Sequence, residues 1–262
     1  MTVITTMRGR ASINMQWQVF RNTKLVAGKT FFRRIVHDAD FNRVLGTDPQ
    51  RNRSRTQRLL AKAFWFWPRI EDARGWAAAS TSTRWNPEQY LHTHRTLLID
   101  KVLEYTRPTD SLMELGCNCG SDMAQLHDEG YRDLCGVDAS GSALELFANE
   151  YPQVFQVADI RHDLFQRYLM NCATNAVDYV YSNGATIELV HPSFPVVSEI
   201  CRVARCGVLL DLSEHNQGYP RDYVAQFRKA GLTLVYSNNA EFPENKSHIF
   251  VFTRDGLEGI ES

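Results

Sequence analysis

A ten-residue stretch from Ser111 to Gly120, Ser-Leu-Met-Glu-Leu-Gly-Cys-Asn-Cys-Gly, constrains this chain more than any other. A short apolar run there ends in an acid and then a glycine turn, the pattern of a strand feeding a nucleotide-binding loop. Acid-x-Gly-x-x-x-Gly arises often by chance, so its weight depends on the elements downstream of it and on their spacing.

Downstream of Gly120 the chain alternates regularly. The spacing predicts helix Asp122–Glu129 stopping at Gly130, strand Asp133–Val137 ending at Asp138, helix Ser142–Glu150, strand Val154–Val157 ending at Asp159, and helix Asp163–Met170. Strand Val177–Tyr181, helix Phe194–Val203, strand Gly207–Leu212 and helix Arg221–Ala230 continue the beat. Strands Thr233–Tyr236 and His248–Thr253 close it. Strands alternating with helices imply a parallel sheet covered on both faces, and the last two, lacking a helix between them, should pair antiparallel. Upstream, Asn86 reads as a cap with Pro87 at the first position of a helix running through Tyr90, Leu91, His94, Leu97, Leu98, Val102 and Leu103, ending before Pro108.

A glycine turn after the first strand, an acid ending the second, an acid after the third and a closing antiparallel pair resemble the class I S-adenosylmethionine-dependent methyltransferases. The resemblance spans residues 110–254 and rests on order and spacing rather than on any single motif. It implies an α/β fold: a Rossmann-like, doubly wound, seven-stranded and mostly parallel sheet with an antiparallel last strand. It also implies an enzyme using S-adenosylmethionine. The chain would then divide into a helical extension, residues 1–84, and a methyltransferase domain, residues 85–262.

The resemblance assigns roles residue by residue. Gly116 and Gly120 would let the backbone approach the cofactor, and Glu114 would orient the loop or accept from the methionine ammonium. Asp138 would accept both ribose hydroxyls, since a carboxylate offers two acceptor oxygens to a vicinal diol. Its neighbour Ala139 would lie alongside. Asp159 would meet the adenine amino group and Ile160 the ring face. Ser182 would border the cofactor from the fourth strand, and Arg95 or His94, on the helix before the core, would reach the methionine carboxylate. One departure stands out: Asn118 occupies the family's usual central glycine. Asparagine tolerates left-handed backbone, so the turn survives, and its amide could contact the cofactor's carboxylate. A nicotinamide dehydrogenase would want G-x-G-x-x-G, which Gly116–Ser121 does not supply.

Acceptor chemistry should fall to the loop after the fourth strand. Methyl transfer is an in-line displacement, so the protein mainly aligns reactants and excludes water. A base is needed only when the acceptor must lose a proton; His191 is the first candidate, with Glu188 and His215 behind it. Ser182-Asn183-Gly184-Ala185 is unlike the Asn-Pro-Pro-Tyr turn of amide-nitrogen and adenine methylases, and no Pro-Cys pair suggests a cytosine nucleophile. The expected reaction is O-methylation of a small-molecule or saccharide- or lipid-linked acceptor. The alternatives are an RNA methyltransferase, or a non-catalytic module recruited to a membrane or protein complex.

Charge enters at the N-terminus. Lys plus Arg total 29 and Asp plus Glu 30, but residues 1–84 hold 16 of the former and 5 of the latter, near +11, leaving the rest near −12. Helical spacing covers Trp17–Val36 and Thr56–Trp67. Basic residues beside Trp and Phe, as in Phe64-Trp65-Phe66-Trp67-Pro68-Arg69, suit a membrane-surface contact through residues 17–70. They equally suit nucleic acid, which the acidic remainder disfavours, or a homodimer contact. No uncharged run reaches the ~18 residues of a membrane-spanning helix. Six cysteines without a signal-peptide profile imply a reduced, cytoplasmic protein, with membrane association left open. Cys117-x-Cys119 lacks a second Cys/His pair at zinc spacing, so no metal is expected.

Overall fold

The computed structural model describes residues 86–92, 96–184, 187, 190, 194–212, 222–238 and 248–254. The helices expected at Trp17–Val36 and Thr56–Trp67 lie outside these residues. So does the rest of the basic extension.

Seven strands form one sheet in the order β3-β2-β1-β4-β5-β7-β6. They are β1 Leu112–Leu115, β2 Leu134–Asp138, β3 Asp159–His162, β4 Val177–Asn183, β5 Ala204–Leu212, β6 Thr233–Ser237 and β7 His248–Thr253. β1 pairs parallel with both β2 and β4, so strand order reverses there. β7 pairs antiparallel with β5 and β6, as the missing helix between the last two strands implied. This is the mostly parallel, doubly wound architecture expected from the alternation.

The helices are α1 Leu97–Tyr105, α2 Ser121–Asp128, α3 Gly141–Glu150, α4 Pro152–Phe155, α5 Phe165–Asn171, α6 Val196–Val203 and α7 Tyr223–Lys229. Residues on both faces of the central strands are buried, because β-α crossovers lay helices on each side. Leu112, Met113 and Leu115 of β1, Val208 to Leu210 of β5 and Phe250 to Phe252 of β7 are all buried. Phe252 stacks on Phe227 of α7 with ring centroids 4.4 Å apart, fixing that helix against the antiparallel end of the sheet. Among the described residues, no helix is long and apolar enough to cross a membrane.

Two sequence expectations need correction. The single helix predicted from Asn86 to Leu103 is divided. Asn86 caps only a 3-10 turn, Pro87–Tyr90; His92 then adopts a left-handed φ of 53°, and the chain begins α1 afresh with the Thr96 hydroxyl accepting from the Ile99 amide. The strand predicted at Val154–Val157 does not form either. Pro152 starts the short helix α4 instead, Val154 is buried from it, and Phe155 meets the Phe147 ring edge-on at 5.3 Å. β3 starts at Asp159, where the prediction ended its strand. An edge strand facing solvent carries no apolar run to mark it, whereas the apolar pair just before it belongs to a helical turn.

Candidate active site

In an open α/β sheet a ligand sits beyond the carboxyl ends of the strands, where strand order reverses. Here that point lies beyond β1, flanked by the ends of β2 and β4. The turn from β1 into α2 holds three positive φ angles: Gly116 at 78°, Asn118 at 47° and Gly120 at 75°. Its start is tied to β2, with the Gly116 and Cys117 amides both donating to the Val137 carbonyl at 2.9 and 3.2 Å. Gly120 is needed twice over. Besides its left-handed backbone, a Cβ there would stand 2.3 Å from the Phe147 ring. Cys117 and Cys119, between these positions, are free and buried thiols.

Asp138 ends β2 directly beside this turn. Its Oδ2 accepts from the Asn118 amide at 2.9 Å and its Oδ1 from the Ser140 amide at 2.7 Å. Each oxygen thus has one backbone donor and keeps a lone pair for another. Burial raises the carboxyl above its usual pKa, and the Ser140 and Asn118 amides only partly offset this.

Glu114 is 2% exposed and receives the Tyr181 hydroxyl on Oε2 at 3.0 Å. Burial first, then Asp122, pushes this carboxyl well above its usual pKa. Ser182 is buried and its hydroxyl donates to the Leu115 carbonyl at 2.8 Å, joining β4 to β1. The sequence reading put Ser182 at the cofactor; in the structure its hydroxyl is committed to the Leu115 carbonyl.

Asp159 and Ile160 stand elsewhere. Asp159 lies opposite Cys135, three residues before the Asp138–His162 level, so roughly 10 Å back along the strand. It is half exposed and pairs with Arg161 at 2.7 Å. Ile160 packs against the hydrophobic core. The residues that β3 carries to the site end are His162, Asp163 and Leu164. The Asp163 amide donates to the Asp138 carbonyl at 3.0 Å, and His162 Nε2 lies 3.2 Å from the carbonyl oxygen of Ala139. Asp163 also accepts from the Leu164 amide at 2.7 Å and is ion-paired with Arg167. Asp163-Leu164 could have been placed at that end from the sequence only by moving the third strand five residues later.

A second cluster went unnoticed in the sequence. Asn183, at the end of β4, donates to Asp122 Oδ2 of α2 at 2.7 Å, and Asp211 of β5 is in register with Asn183. Burial raises the Asp122 carboxyl, Asn183 opposes that shift and Asp211 reinforces it. Glu114, Asp122, Asp138 and Asp211 together make the strand ends acidic, an environment that favours a cationic ligand or one rich in hydrogen-bond donors. Arg95, Glu188, His191 and His215, together with His94, lie outside the described residues.

The fold is that of the class I S-adenosylmethionine-dependent methyltransferases. Solved structures share it. Magnesium protoporphyrin IX methyltransferase from Synechocystis PCC 6803 with bound SAM superposes with a TM-score of 0.52 at 13% identity, covering 72% of this chain and 100% of that one. The same enzyme with bound SAH gives 0.52 at 12% identity, covering 71% and 100%. At such identity the likeness establishes the fold. No family model matches the sequence, and no curated protein matches it.

Proposed function

We propose that this chain is an S-adenosylmethionine-dependent methyltransferase. The observation that carries the reading is Asp138: a carboxylate at the end of β2 whose two oxygens each hold one backbone amide and keep a lone pair for one ribose hydroxyl. The acidic strand ends beside the glycine turn suit a ligand carrying a sulfonium and an ammonium. When bound, S-adenosylmethionine supplies an electrophilic methyl carbon; the protein's work is to hold it, align an acceptor and exclude water.

The chain's own residues divide that work. Asp138 takes the ribose, with Ala139 alongside. Adenine falls to Asp163 and Leu164 rather than to Asp159 and Ile160, since only the former pair stands at the level of Asp138. Gly116 and Gly120 shape the turn. Glu114 positions it from beneath through Tyr181, and Ser182 braces β4 against β1. Arg95 reaches the methionine carboxylate. The acceptor is an oxygen of a small molecule or of a saccharide- or lipid-linked group, and His191, backed by Glu188 and His215, takes its proton. The basic aromatic segment 17–70 brings the enzyme to a membrane surface or to a second copy of the chain.

Titration calorimetry of Asp138→Ala with S-adenosylhomocysteine tests the cofactor half: binding should vanish while circular dichroism stays unchanged. Affinity like that of the wild type would contradict it. Liposome flotation and RNA retention across a salt series test the partner half, because phosphate binding weakens steeply with salt.

A further inference from the structure

His162 ends β3 at the level of Asp138, its register partner on β2. A histidine on an exposed edge strand is ordinarily a solvated side chain, and two observations set this one apart. Its Nε2 lies 3.2 Å from the carbonyl oxygen of Ala139. A carbonyl only accepts, so Nε2 carries the hydrogen. The amide four residues on, Ala143, is taken by the Ser140 hydroxyl at 3.3 Å, which leaves the Ala139 carbonyl to the imidazole. The second observation is Gly141, the first residue of α3. Its φ is not left-handed, so backbone freedom does not call for glycine there. A Cβ would instead stand 3.3 Å from His162 Cε1, so the missing side chain makes room for the ring. The imidazole thus meets the Asp138–Gly141 turn on both sides of Ser140, whose amide donates to Asp138 Oδ1 at 2.7 Å.

We infer that His162 is a positioning residue of the nucleoside site, its imidazole clamping the Asp138–Gly141 turn so that the Asp138 carboxylate is held for the ribose diol. The inference rests on the methyltransferase reading above. β3 already holds the main chain of Asp138 through the Asp163 amide at 3.0 Å, and His162 holds the residues that follow it. The Ser140 amide sets Oδ1, so a turn free to swing would carry that donor, and with it the carboxylate, out of place. Burial raises the Asp138 carboxyl; after the Ser140 and Asn118 amides the imidazole is the next group to oppose that rise, so the same ring favours the accepting form.

Calorimetry of wild type, His162→Ala and His162→Gln with two ligands tests this: S-adenosylhomocysteine and its 2′-deoxy analogue, whose ribose offers Asp138 one hydroxyl instead of two. His162 is exposed, so both variants should fold. Alanine removes the clamp, whereas glutamine keeps an N–H donor at the reach of Nε2. The alanine variant should lose about fivefold in affinity for S-adenosylhomocysteine, the scale of one hydrogen bond, and less for the deoxy analogue; glutamine should restore most of the loss. Unchanged S-adenosylhomocysteine affinity in the alanine variant overturns the inference alone. Equal loss for both ligands also overturns it, because His162 would then act on the fold or the adenine and not through the carboxylate that takes the diol. A glutamine variant as weak as alanine overturns it too, since the hydrogen bond would not be what holds the turn. If the wild type does not bind S-adenosylhomocysteine, the cofactor reading falls and the inference with it.

Discussion

The Tyr181 hydroxyl donates to Glu114 Oε2 at 3.0 Å across neighbouring strands, and Glu114 and Tyr181 are register partners of β1 and β4. Both are buried, so the acid beneath the glycine turn meets the sheet rather than solvent. Burial first, then Asp122, pushes its carboxyl well above the usual carboxylate range.

Stability should therefore depend on pH. An acid with a raised folded pKa keeps its proton in the native state after the unfolded chain has lost it. Stability is then greatest below the unfolded value and falls as pH rises toward the folded one, by about 1.4 kcal/mol per pH unit per group. Asp122 and Asp138, also raised, add the same sign. Glu114→Gln keeps the shape and cannot ionise, so urea denaturation should show a smaller stability loss between pH 5 and pH 8 than in wild type. An identical slope would mean that Glu114 is ionised in the native protein.

Cofactor affinity should move the opposite way with pH. Asp138 accepts two hydroxyls only as a carboxylate, and its pKa is raised by burial. As pH falls through that raised value, S-adenosylhomocysteine binding should weaken by up to about tenfold per pH unit. Asp138→Asn should bind weakly with a flat profile over the same range. Calorimetry at a series of acid pH values reads both.

Gly120→Ala should destabilise the domain by about 2–4 kcal/mol, combining left-handed strain with overpacking against Phe147, whose ring would lie 2.3 Å from the new methyl. Denaturant unfolding measures the loss. A second substitution, Phe147→Ala, should return part of it, so the two changes together should cost less than their sum.

The thiols of the glycine turn should be inert. Burial pushes Cys119 up to about 11 and holds Cys117 well above its usual range, so little thiolate exists near neutrality. Iodoacetamide at pH 7.5 should leave both unmodified in the native protein and label both after denaturation, as read by peptide mass spectrometry.

Much of the scaffold was legible because its elements carry strong local signals. The apolar runs of β1, β5 and β7 and the glycines ending the intervening helices are properties of the chain itself. Asp138 was legible for the same reason, since it terminates an apolar strand at a fixed distance from the glycine turn. β3 was not. It is an exposed edge strand whose position is set by pairing with β2, and the apolar residues nearby serve a helical turn. Misplacing it moved the expected adenine acid from the site end of the strand to the opposite end.

The alternation, the sheet type, the antiparallel closure and the glycine turn with its acid are all written in the order of residues, because periodicity, backbone freedom and strand-end chemistry are local. Folding in three dimensions was needed to set Glu114 against Tyr181, to bring Asp163 rather than Asp159 beside Asp138, to join Asn183 to Asp122, and to leave the Asn118 carbonyl without a partner among the described residues. Register and burial make those choices, and both arise between segments far apart in the chain, where no local pattern records them.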